Sequence, residues 1–328
     1  MKNRLTALAI SVIIICTCVV SCSKKNLNLH TFEAKIGEEP FKATYLAEKS
    51  DGTPMTEEEI SEIDSALAAA VTDSLEIFSE GNSEGVEEIN KPVDAVLDCN
   101  EELIKLVEYT YSLTETTKGA YQPVMGAVAE LYTSVEEITP EALAEALTHT
   151  GNKLITIEGD IIRKSDREAK LYLDNIVAGF VLRDVSAVLA SKNVVYSVIT
   201  YRDSTATFGS AEEDEAVDMA VYLSGDNSTH SGVLSYNDAV ATVYNSSSLV
   251  FNNNTGEKVT SEFDTIIVLS PDAVFSNVIA DIVYGMSEEQ IMKLYNEGYL
   301  DFEAVMIYAD GSFAKTSDEI VYEKTVNE

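Results

Sequence analysis

The stretch from Lys118 to Tyr132 constrains the fold more tightly than any other part of the 328-residue chain. Gly119 is a residue type that closes helices, and Pro123 is favoured in the first turn of a new helix. Gly126 and the alanines that follow it leave the start of that helix with almost no side chain. We therefore expect close packing here, against either another protein segment or a bound ligand.

Composition indicates a folded domain with a strong negative charge. Hydrophobic residues make up 45% of the chain, which is enough to bury a large core as one domain or two intimate halves. The formal charge of −34 arises from 56 acidic and 22 basic residues. Such a charge repels a phosphate backbone, so no nucleic-acid partner is expected.

The N-terminal residues are typical of an exported lipoprotein. A basic start is followed by an apolar run from Leu5 to Val20, which is too short and too close to the terminus for an ordinary membrane span. The run ends in Val-Val-Ser-Cys22, which resembles a bacterial lipobox. We expect a signal peptide at residues 1–21, a tether at 22–31 and a domain at 32–320. Membrane lipid on Cys22 would then hold the protein on the extracytoplasmic face of the cell membrane.

Cysteines and histidines are few in this chain. Removal of the signal peptide would leave Cys22, occupied by lipid, and Cys99, so no intrachain disulfide is expected. His30, His149 and His230 stand far apart in the sequence and near no cysteine. The sequence therefore does not predict a zinc site or a cysteine–histidine nucleophile.

Capping signals and apolar periodicity predict an α+β fold in which helices alternate with hairpins. We expect helices from about Glu57 to Val71, after Asn100, from Pro123, from Pro140, from Ile176 to Lys192, from Pro271 to Tyr284 and after Ser287. We expect strands at Phe32 to Ile36, Phe41 to Ala47, Leu154 to Glu158, Ile161 to Lys164, Val194 to Thr200, Ala206 to Phe208, Met219 to Leu223, Ala239 to Val243, Thr265 to Leu269 and Val305 to Tyr308.

Two segments carry a resemblance to a known family. Gly119 to Gly126 resembles the Gly-Ala-(Phe/Tyr)-Asp-Pro-(Thr/Val)-(Val/Met)-Gly-Pro-Leu motif of the ApbE-like family, the FAD:protein FMN transferases. Leu171 to Phe180 is similar to the family's Leu-Asp-Leu-Gly-Gly-Ile-Ala-Lys-Gly-Tyr. The resemblance implies a T-fold-like architecture, with two similar, mainly antiparallel sheet halves and packed helices.

The resemblance also implies a pocket for FAD with Mg²⁺ beside its pyrophosphate. It places cofactor contacts at six positions: Tyr121, Gly126, Gly179, Thr242, Thr255 and Gly256. It places the family's metal-binding Asp and Thr at Ser276 and Ala280, with an uncertainty of one residue, and neither side chain is a carboxylate. Asp281 is nearby and is expected to face a different side of the helix.

Several family motifs are altered here in ways that disfavour FAD. Asp174 and Asn175 replace the glycine pair, adding side chains and a negative charge where a dianionic pyrophosphate would lie. The segment at Leu249 to Gly256 keeps Thr-Gly and loses the family's His, Asp and Arg, so no general base is expected there and no catalytic residue is assigned.

Three functions remain open. The first is a surface lipoprotein whose flavin-transferase centre is eroded and which acts as a binding or scaffolding partner. The second is a working Mg²⁺-dependent transferase that moves FMN from FAD to a Thr or Ser of a membrane-associated redox protein. The third is a lipid-anchored solute-binding protein, with its pocket at the bare helix face around Gly126.

Overall fold

The computed structural model describes residues 11–12, 27–79, 81–135, 137–209, 216–222, 230–245 and 248–324. The helices there are α1 (Glu57–Glu76), α2 (Val86–Asn90), α3 (Glu101–Thr116), α4 (Gly126–Ser134), α5 (Pro140–Thr148), α6 (Val177–Ser191), α7 (Ala273–Val283) and α8 (Glu288–Glu297). The strands are β1 (Ser11–Val12), β2 (Leu29–Ile36), β3 (Glu39–Leu46), β4 (Ala95–Val96), β5 (Ile155–Glu158), β6 (Ile161–Lys164), β7 (Tyr196–Tyr201), β8 (Ser204–Gly209), β9 (Val217–Tyr222), β10 (His230–Tyr236), β11 (Val240–Asn245), β12 (Thr265–Ser270), β13 (Glu303–Ile307), β14 (Phe313–Lys315) and β15 (Val321–Lys324).

One long antiparallel sheet contains two similar halves, which confirms the predicted fold class. Its strand order is β1-β2-β3-β7-β8-β11-β12-β13-β14. The first half is a hairpin (β2–β3), helices that include α1 and α6, and a second hairpin (β7–β8). The second half repeats this plan with β11–β12, α7 and α8, and β13–β14. In each half the two hairpins pair through their inner strands, β3 with β7 and β12 with β13, and the β8–β11 pairing joins the halves.

Two small sheets are attached to this frame. Strands β4, β6 and β5 form one of them, within the segment that separates α1 from α6. Strands β15, β10 and β9 form the other, which contains the hairpin that connects the two halves. The long sheet and its helices therefore form the frame on which the candidate site is built.

The core lies between the long sheet and the helices. Leu67 of α1, Leu182 and Val185 of α6 and Ile199 of β7 have no measurable solvent exposure and belong to one apolar cluster. Burying a side chain of this size stabilises the fold by roughly 1.5–3 kcal/mol. Because α6 also packs against α7, it links the cores of the two halves.

The predicted starts of α1 and α3 are confirmed by their caps. The Thr56 Oγ1 accepts from Glu59 N at 3.2 Å and Glu59 Oε2 accepts from Thr56 N at 2.9 Å, which completes a capping box. Asn100 caps α3 through Leu103 N at 2.7 Å. Helix α1 runs beyond the predicted Val71, because residues up to Leu75 still face the core.

Two predicted element starts differ from the structure. Helix α4 begins at Gly126 rather than Pro123, because the Pro123 carbonyl accepts from Tyr172 N at 2.7 Å and is held outside the helix. Strand β2 begins at Leu29, inside the predicted tether, where His30 Nε2 lies 3.0 Å from Asp64 Oδ2 of α1. Strands β10 and β15 were not predicted.

The predicted signal peptide and lipid site lie mostly beyond what the structure describes. Within that segment, β1 pairs with β2 in antiparallel register, with Ser11 opposite Lys35. Cys22 falls outside the described residues. Among the helices that are described, none is both long and apolar enough to cross a membrane.

Candidate functional site

The two segments that resemble family motifs lie side by side. Asn90, the last residue of α2, donates to the Leu171 carbonyl at 3.0 Å and accepts from Leu171 N at 2.7 Å. The next residue, Tyr172, donates its backbone N–H to Pro123 at 2.7 Å. Residues 171–172 are therefore fixed between the end of α2 and the stretch that leads into α4.

Gly126 is required by packing against this segment. Its N–H donates to the Lys170 carbonyl at 2.9 Å. An added Cβ would lie 2.5 Å from Lys170 Cβ and 2.9 Å from the Leu171 carbonyl oxygen. The close packing expected at this glycine is thus made against residues 170–171 of the protein.

Gly179 serves the same purpose between helices. An added Cβ would lie 2.6 Å from both the Ala273 carbonyl oxygen and Val274 Cα, so α6 and α7 touch at this point. Its N–H donates to Asn277 Oδ1 at 2.6 Å. Gly179 therefore lets α6 and α7 pack closely.

A buried polar cluster, formed by Ser204, Thr242, Ser276 and Asn277, lies beneath the start of α7. Asn277 Nδ2 donates to Ser204 Oγ at 2.8 Å and to Thr242 Oγ1 at 2.9 Å. Thr242 Oγ1 lies 2.8 Å from Ser276 Oγ, and Ser276 donates to the Val240 carbonyl at 3.0 Å. Because all four side chains are at most 1% exposed, the Thr242 hydroxyl contacts protein groups rather than the predicted cofactor.

The predicted metal-ligand positions face the core. Ser276 belongs to the buried polar cluster, and Ala280 is fully buried in the apolar core of the second half. If the alignment is shifted by one residue, the two family ligand positions fall on Asn277 and Asp281. The Asn277 amide already uses both its oxygen and its nitrogen in hydrogen bonds to protein. Asp281 does face another side of α7, as expected, and that side holds the candidate site.

An acidic recess is formed by Asp281, Asn175, Tyr121, Tyr172 and Tyr244. The Asn175 amide donates a hydrogen bond to the Asp281 carboxylate, while desolvation raises the pKa of Asp281 to about 7. Burial raises the pKa of the three phenols, and the Asp281 charge adds to each rise. The charge of Asp281 therefore acts on all three phenols.

Two polar atoms of the acidic recess have no partner. Among the described residues, neither the Tyr121 hydroxyl nor Asn175 Oδ1 makes a hydrogen bond, although both atoms are buried. The Tyr121 side chain is only 1% exposed. An unpaired buried polar atom typically costs about 1–3 kcal/mol, so these atoms favour a ligand that bonds to them.

The rim of the acidic recess is also acidic. Asp174 pairs with Arg202, whose Nη1 lies 2.8 Å from Asp174 Oδ1, so this cation is already neutralised. Asp203 is open to solvent on one side, but protein surrounds its carboxyl group elsewhere, and the resulting desolvation raises its pKa to about 6. The electrostatic potential at the rim therefore favours cations.

The predicted contacts at Thr255 and Gly256 lie in a separate turn. Gly256 has φ +68°, and an added Cβ would lie 2.9 Å from Leu143 of α5. Thr255 Oγ1 donates to Glu257 at 3.2 Å. Asn253 Nδ2 donates to Ala120 at 2.6 Å, so the turn borders the segment that carries Tyr121 without adding a free polar group to the recess.

The described contacts of His149 lie outside the recess. His149 Nδ1 lies 2.7 Å from Asp166 Oδ2, an interaction that holds the end of α5 to the loop after β6. The side chain of His230 is outside the described part of the chain. No group of three His, Cys, Asp or Glu side chains within that part could hold a metal ion.

Sequence reasoning missed Asn90, Asn277 and Asp281 as site-building residues. The sequence does carry a signal for Asn277 and Asp281. Helix α7 is apolar almost throughout, yet Asn277 and Asp281 stand four residues apart and so share one face. Polar residues at that spacing in an apolar helix indicate a polar contact on that face.

The chain is similar to one known protein family. The profile of the ApbE family matches residues 41–306, which is most of the chain. No curated protein sequence shows significant similarity.

Solved structures match along nearly the whole chain. The apbe protein of Thermotoga maritima has 14% identity and a TM-score of 0.72, covering 88% of this chain and 96% of its own. The apo form of the Pseudomonas stutzeri flavinyl transferase ApbE has 14% identity and a TM-score of 0.71, covering 90% and 96%. The flavin transferase ApbE of Vibrio cholerae has 16% identity and a TM-score of 0.69, covering 88% and 97%. At these identities the likeness is one of fold.

Proposed function

Since the chain belongs to the ApbE family, we propose that it is a membrane-anchored extracytoplasmic lipoprotein with an eroded flavin-transferase centre. Its role in this proposal is to bind or scaffold a partner. The fold is that of solved flavin transferases. What the chain does with that fold depends on the acidic recess.

The observation that carries the proposal is the charge of the acidic recess. Asp281 lies within it and Asp203 lies at its rim, while the charges of Asp174 and Arg202 offset each other in an ion pair. Asp174 and Asn175 stand where the family has its glycine pair. FAD carries a dianionic pyrophosphate, which such a site repels. These residues do not fit FAD.

The residues of α7 do not fit Mg²⁺ either. Ser276 and Ala280 are buried, and both ends of the Asn277 amide are bonded to protein. Asp281 alone supplies a carboxylate on that face of α7. Mg²⁺ loses water reluctantly and is usually held by carboxylates together with substrate phosphates. Without a phosphate ligand, one carboxylate is too small a set of donors to hold Mg²⁺. These residues therefore support the proposal that the metal site has been lost.

The anchoring part of the proposal rests on the lipobox-like segment at Cys22. Strand β2 begins at Leu29, and the His30–Asp64 contact at 3.0 Å attaches it to α1. Only a short stretch separates this point from Cys22, so the domain would lie near the membrane surface. A membrane-associated redox protein is within reach of such a position, either as a binding partner or as an FMN acceptor.

Activity measurements separate the eroded enzyme from a working transferase. The full-length protein should be purified without added flavin and its visible absorbance recorded. It should then be incubated with FAD, Mg²⁺ and a Thr-containing acceptor peptide, with the Vibrio cholerae transferase as a positive control. We expect no flavin absorbance and no mass increase of the peptide. Transfer of FMN to the peptide would overturn the proposal in favour of the working transferase.

A further inference from the structure

We infer that a cleft between α1, α3 and α6 binds a basic amphipathic helix of a partner protein. The lining of this three-helix cleft includes Ala66, Ala70 and Ile77 of α1, Leu106 and Tyr109 of α3, and Phe180 of α6. The cleft shares no residue with the acidic recess. This inference rests on the proposed binding or scaffolding role, and it names the surface and the class of partner.

The three-helix cleft has an apolar, aromatic floor. Its volume is about 700 Å³. The Phe180 ring contacts the rings of Phe78 and Tyr109, with centroid distances of 5.6 and 5.7 Å, so the three rings form one continuous surface. Phe78 and Tyr109 are only half-buried and line the cleft. Apolar surface that remains open in this way is typical of a protein interaction site.

The shape of the cleft suits a helix better than a small molecule. Ala66, Ala70 and Ile77 stand four and seven residues apart, so they share one face of α1. They span roughly 16 Å at the helical rise of about 1.5 Å per residue. Ala69, which also lines the cleft, is exposed, so the cleft is open to solvent. Small-molecule sites bury most of their ligand, whereas a helix laid along α1 contacts this face over about three turns.

Charges in the lining of the cleft favour a basic partner. Both cations of the lining already pair with carboxylates, Lys105 Nζ at 2.6 Å and Arg183 Nε at 3.0 Å. Asp73 and Glu102 also line the cleft, are exposed, and form no salt bridge with any residue that the structure describes. These two carboxylates are therefore available to cationic side chains of a partner.

The helices that border the cleft extend this negative charge. Helix α1 carries seven acidic residues and no basic one, and α3 carries four acidic residues and one lysine. The net charge of the chain is −34. Such a surface attracts basic partners and repels an acidic partner or a second copy of this chain. An apolar floor with an acidic border is complementary to a helix that has an apolar face and basic flanks.

Calorimetric titration of the purified full-length protein tests this inference. The probe is a Leu–Lys peptide of about 14 residues, long enough to follow the cleft as a helix with its leucines on one face. One reference peptide has the same composition with its leucines spread around the helix, and another has Glu in place of Lys. We expect saturable binding of the probe that weakens as salt is added, and weaker binding of the first reference. Equal binding of the Leu–Glu peptide would refute the inference.

A matched pair of variants locates the binding. Ala69→Arg places a long cationic side chain in the cleft and should weaken binding of the Leu–Lys peptide by about tenfold or more, because like charges then face each other. Ala144→Arg makes the same change at an exposed position of α5, away from the cleft, and should leave the affinity unchanged. Circular dichroism checks that both variants fold. Equal binding by the two variants would contradict the assignment.

Charge-removing variants test the acidic border. Asp73→Asn and Glu102→Gln should each weaken binding of the Leu–Lys peptide by about twofold to fivefold, as expected for exposed charge pairs. Glu141→Gln, at an exposed position of α5, removes one charge as the control and should not change the affinity. Wild-type affinity in both cleft variants would show that these carboxylates do not select a basic partner.

The FMN-transfer assay separates this inference from the proposed function. If the Leu–Lys peptide fails to bind while FMN transfer is also absent, the cleft assignment is wrong and the eroded transferase stands. If the peptide binds and Ala69→Arg weakens that binding while FMN transfer occurs, the cleft assignment stands and the eroded centre is wrong. If the wild type binds no peptide but forms dimers that Ala69→Arg abolishes, the cleft holds a second copy and the basic-helix assignment falls.

Discussion

Asn277 and Asp281 stand one helical turn apart on α7 and meet opposite environments. The Asn277 amide bonds to Gly179, Ser204 and Thr242, so its cost of burial is offset. The Asp281 carboxylate accepts a hydrogen bond from Asn175, and desolvation dominates its pKa. Asn277 therefore stabilises the fold, whereas desolvation makes the ionised form of Asp281 unfavourable.

The first prediction concerns the cost of ionising Asp281. Its pKa of about 7 lies well above the ordinary value of 3.8 for an aspartate. A carboxyl whose pKa is raised by folding contributes full stability below its unfolded pKa and loses that contribution as pH rises through 7. Asp281→Asn removes this loss. Its stability relative to wild type should increase by about 1–3 kcal/mol between pH 5 and pH 8.

Urea unfolding at the two pH values measures this change, with Asp160→Asn as the control for charge. The control should differ from wild type by the same amount at both pH values. A difference between Asp281→Asn and wild type that does not change with pH would show that Asp281 is not desolvated.

A second prediction concerns Lys164, which is only 5% exposed. Its Nζ donates to the Ile89 carbonyl at 3.0 Å and the Lys91 carbonyl at 2.8 Å, beside the end of α2. Desolvation lowers its pKa to about 8. Lys164→Ala should destabilise the protein by about 1–3 kcal/mol, because both carbonyls lose a partner.

Exposed Arg163 on the same strand provides the comparison, and Arg163→Ala should stay within about 0.5 kcal/mol of wild type. Urea unfolding at pH 7 is the measurement. Equal effects of the two substitutions would mean that the Lys164 contacts add nothing to stability.

At the scale of elements, glycines set how closely the site-building segments approach. Gly126 brings α4 against residues 170–171, and Gly179 brings α6 against α7. Neither glycine has positive φ, so close contact rather than backbone conformation explains both. The glycines that sequence analysis assigned to a cofactor thus shape the walls around the recess.

Substitution of Gly179 by alanine tests this explanation. Alanine favours a helix over glycine by about 1 kcal/mol. The added Cβ would nonetheless lie 2.6 Å from the backbone of α7. We expect a net loss of about 1–3 kcal/mol in urea unfolding, and less than about 0.5 kcal/mol for Ala190→Ser on the exposed side of α6. Stabilisation by Gly179→Ala would contradict close packing.

Most elements were predictable because their signals are local. Capping residues such as Thr56, Asn100 and Ser287 mark helix starts through bonds within four residues. The start of α4 was missed because Pro123 is held by Tyr172, far away in the sequence. The acidic recess was missed for the same reason, since its residues come from four separate segments and one residue of register on α7 decides which side chains face it.

At the scale of the molecule, two repeated halves share one sheet, although the sequence shows no repeat. Strand pairing follows from alternating apolar residues, and many sequences supply that alternation. The two halves can therefore keep one plan while their sequences diverge. Their junction at β8 and β11 contains Ser204 and Thr242 of the buried polar cluster, so the site is built where the halves meet.

Anchoring is a property of the whole molecule and gives the fourth prediction. If Cys22 carries the lipid, Cys22→Ser should move the protein from the membrane fraction to the soluble fraction of fractionated cells. Cys99→Ser should remain in the membrane fraction. Retention of lipid at the original terminus of the Cys22→Ser protein would contradict the lipobox prediction.

The central claim is that an ApbE-family fold here surrounds a recess that no longer accepts FAD with Mg²⁺. The most direct test is thermal unfolding of the purified protein with FAD, with millimolar Mg²⁺, and with both together. We predict no more stabilisation by the pair than by matched ionic strength, because Asp281 and Asp203 repel the pyrophosphate and α7 offers no ligand set for the metal. A clear rise in unfolding temperature with both together, larger than with either alone, would contradict it.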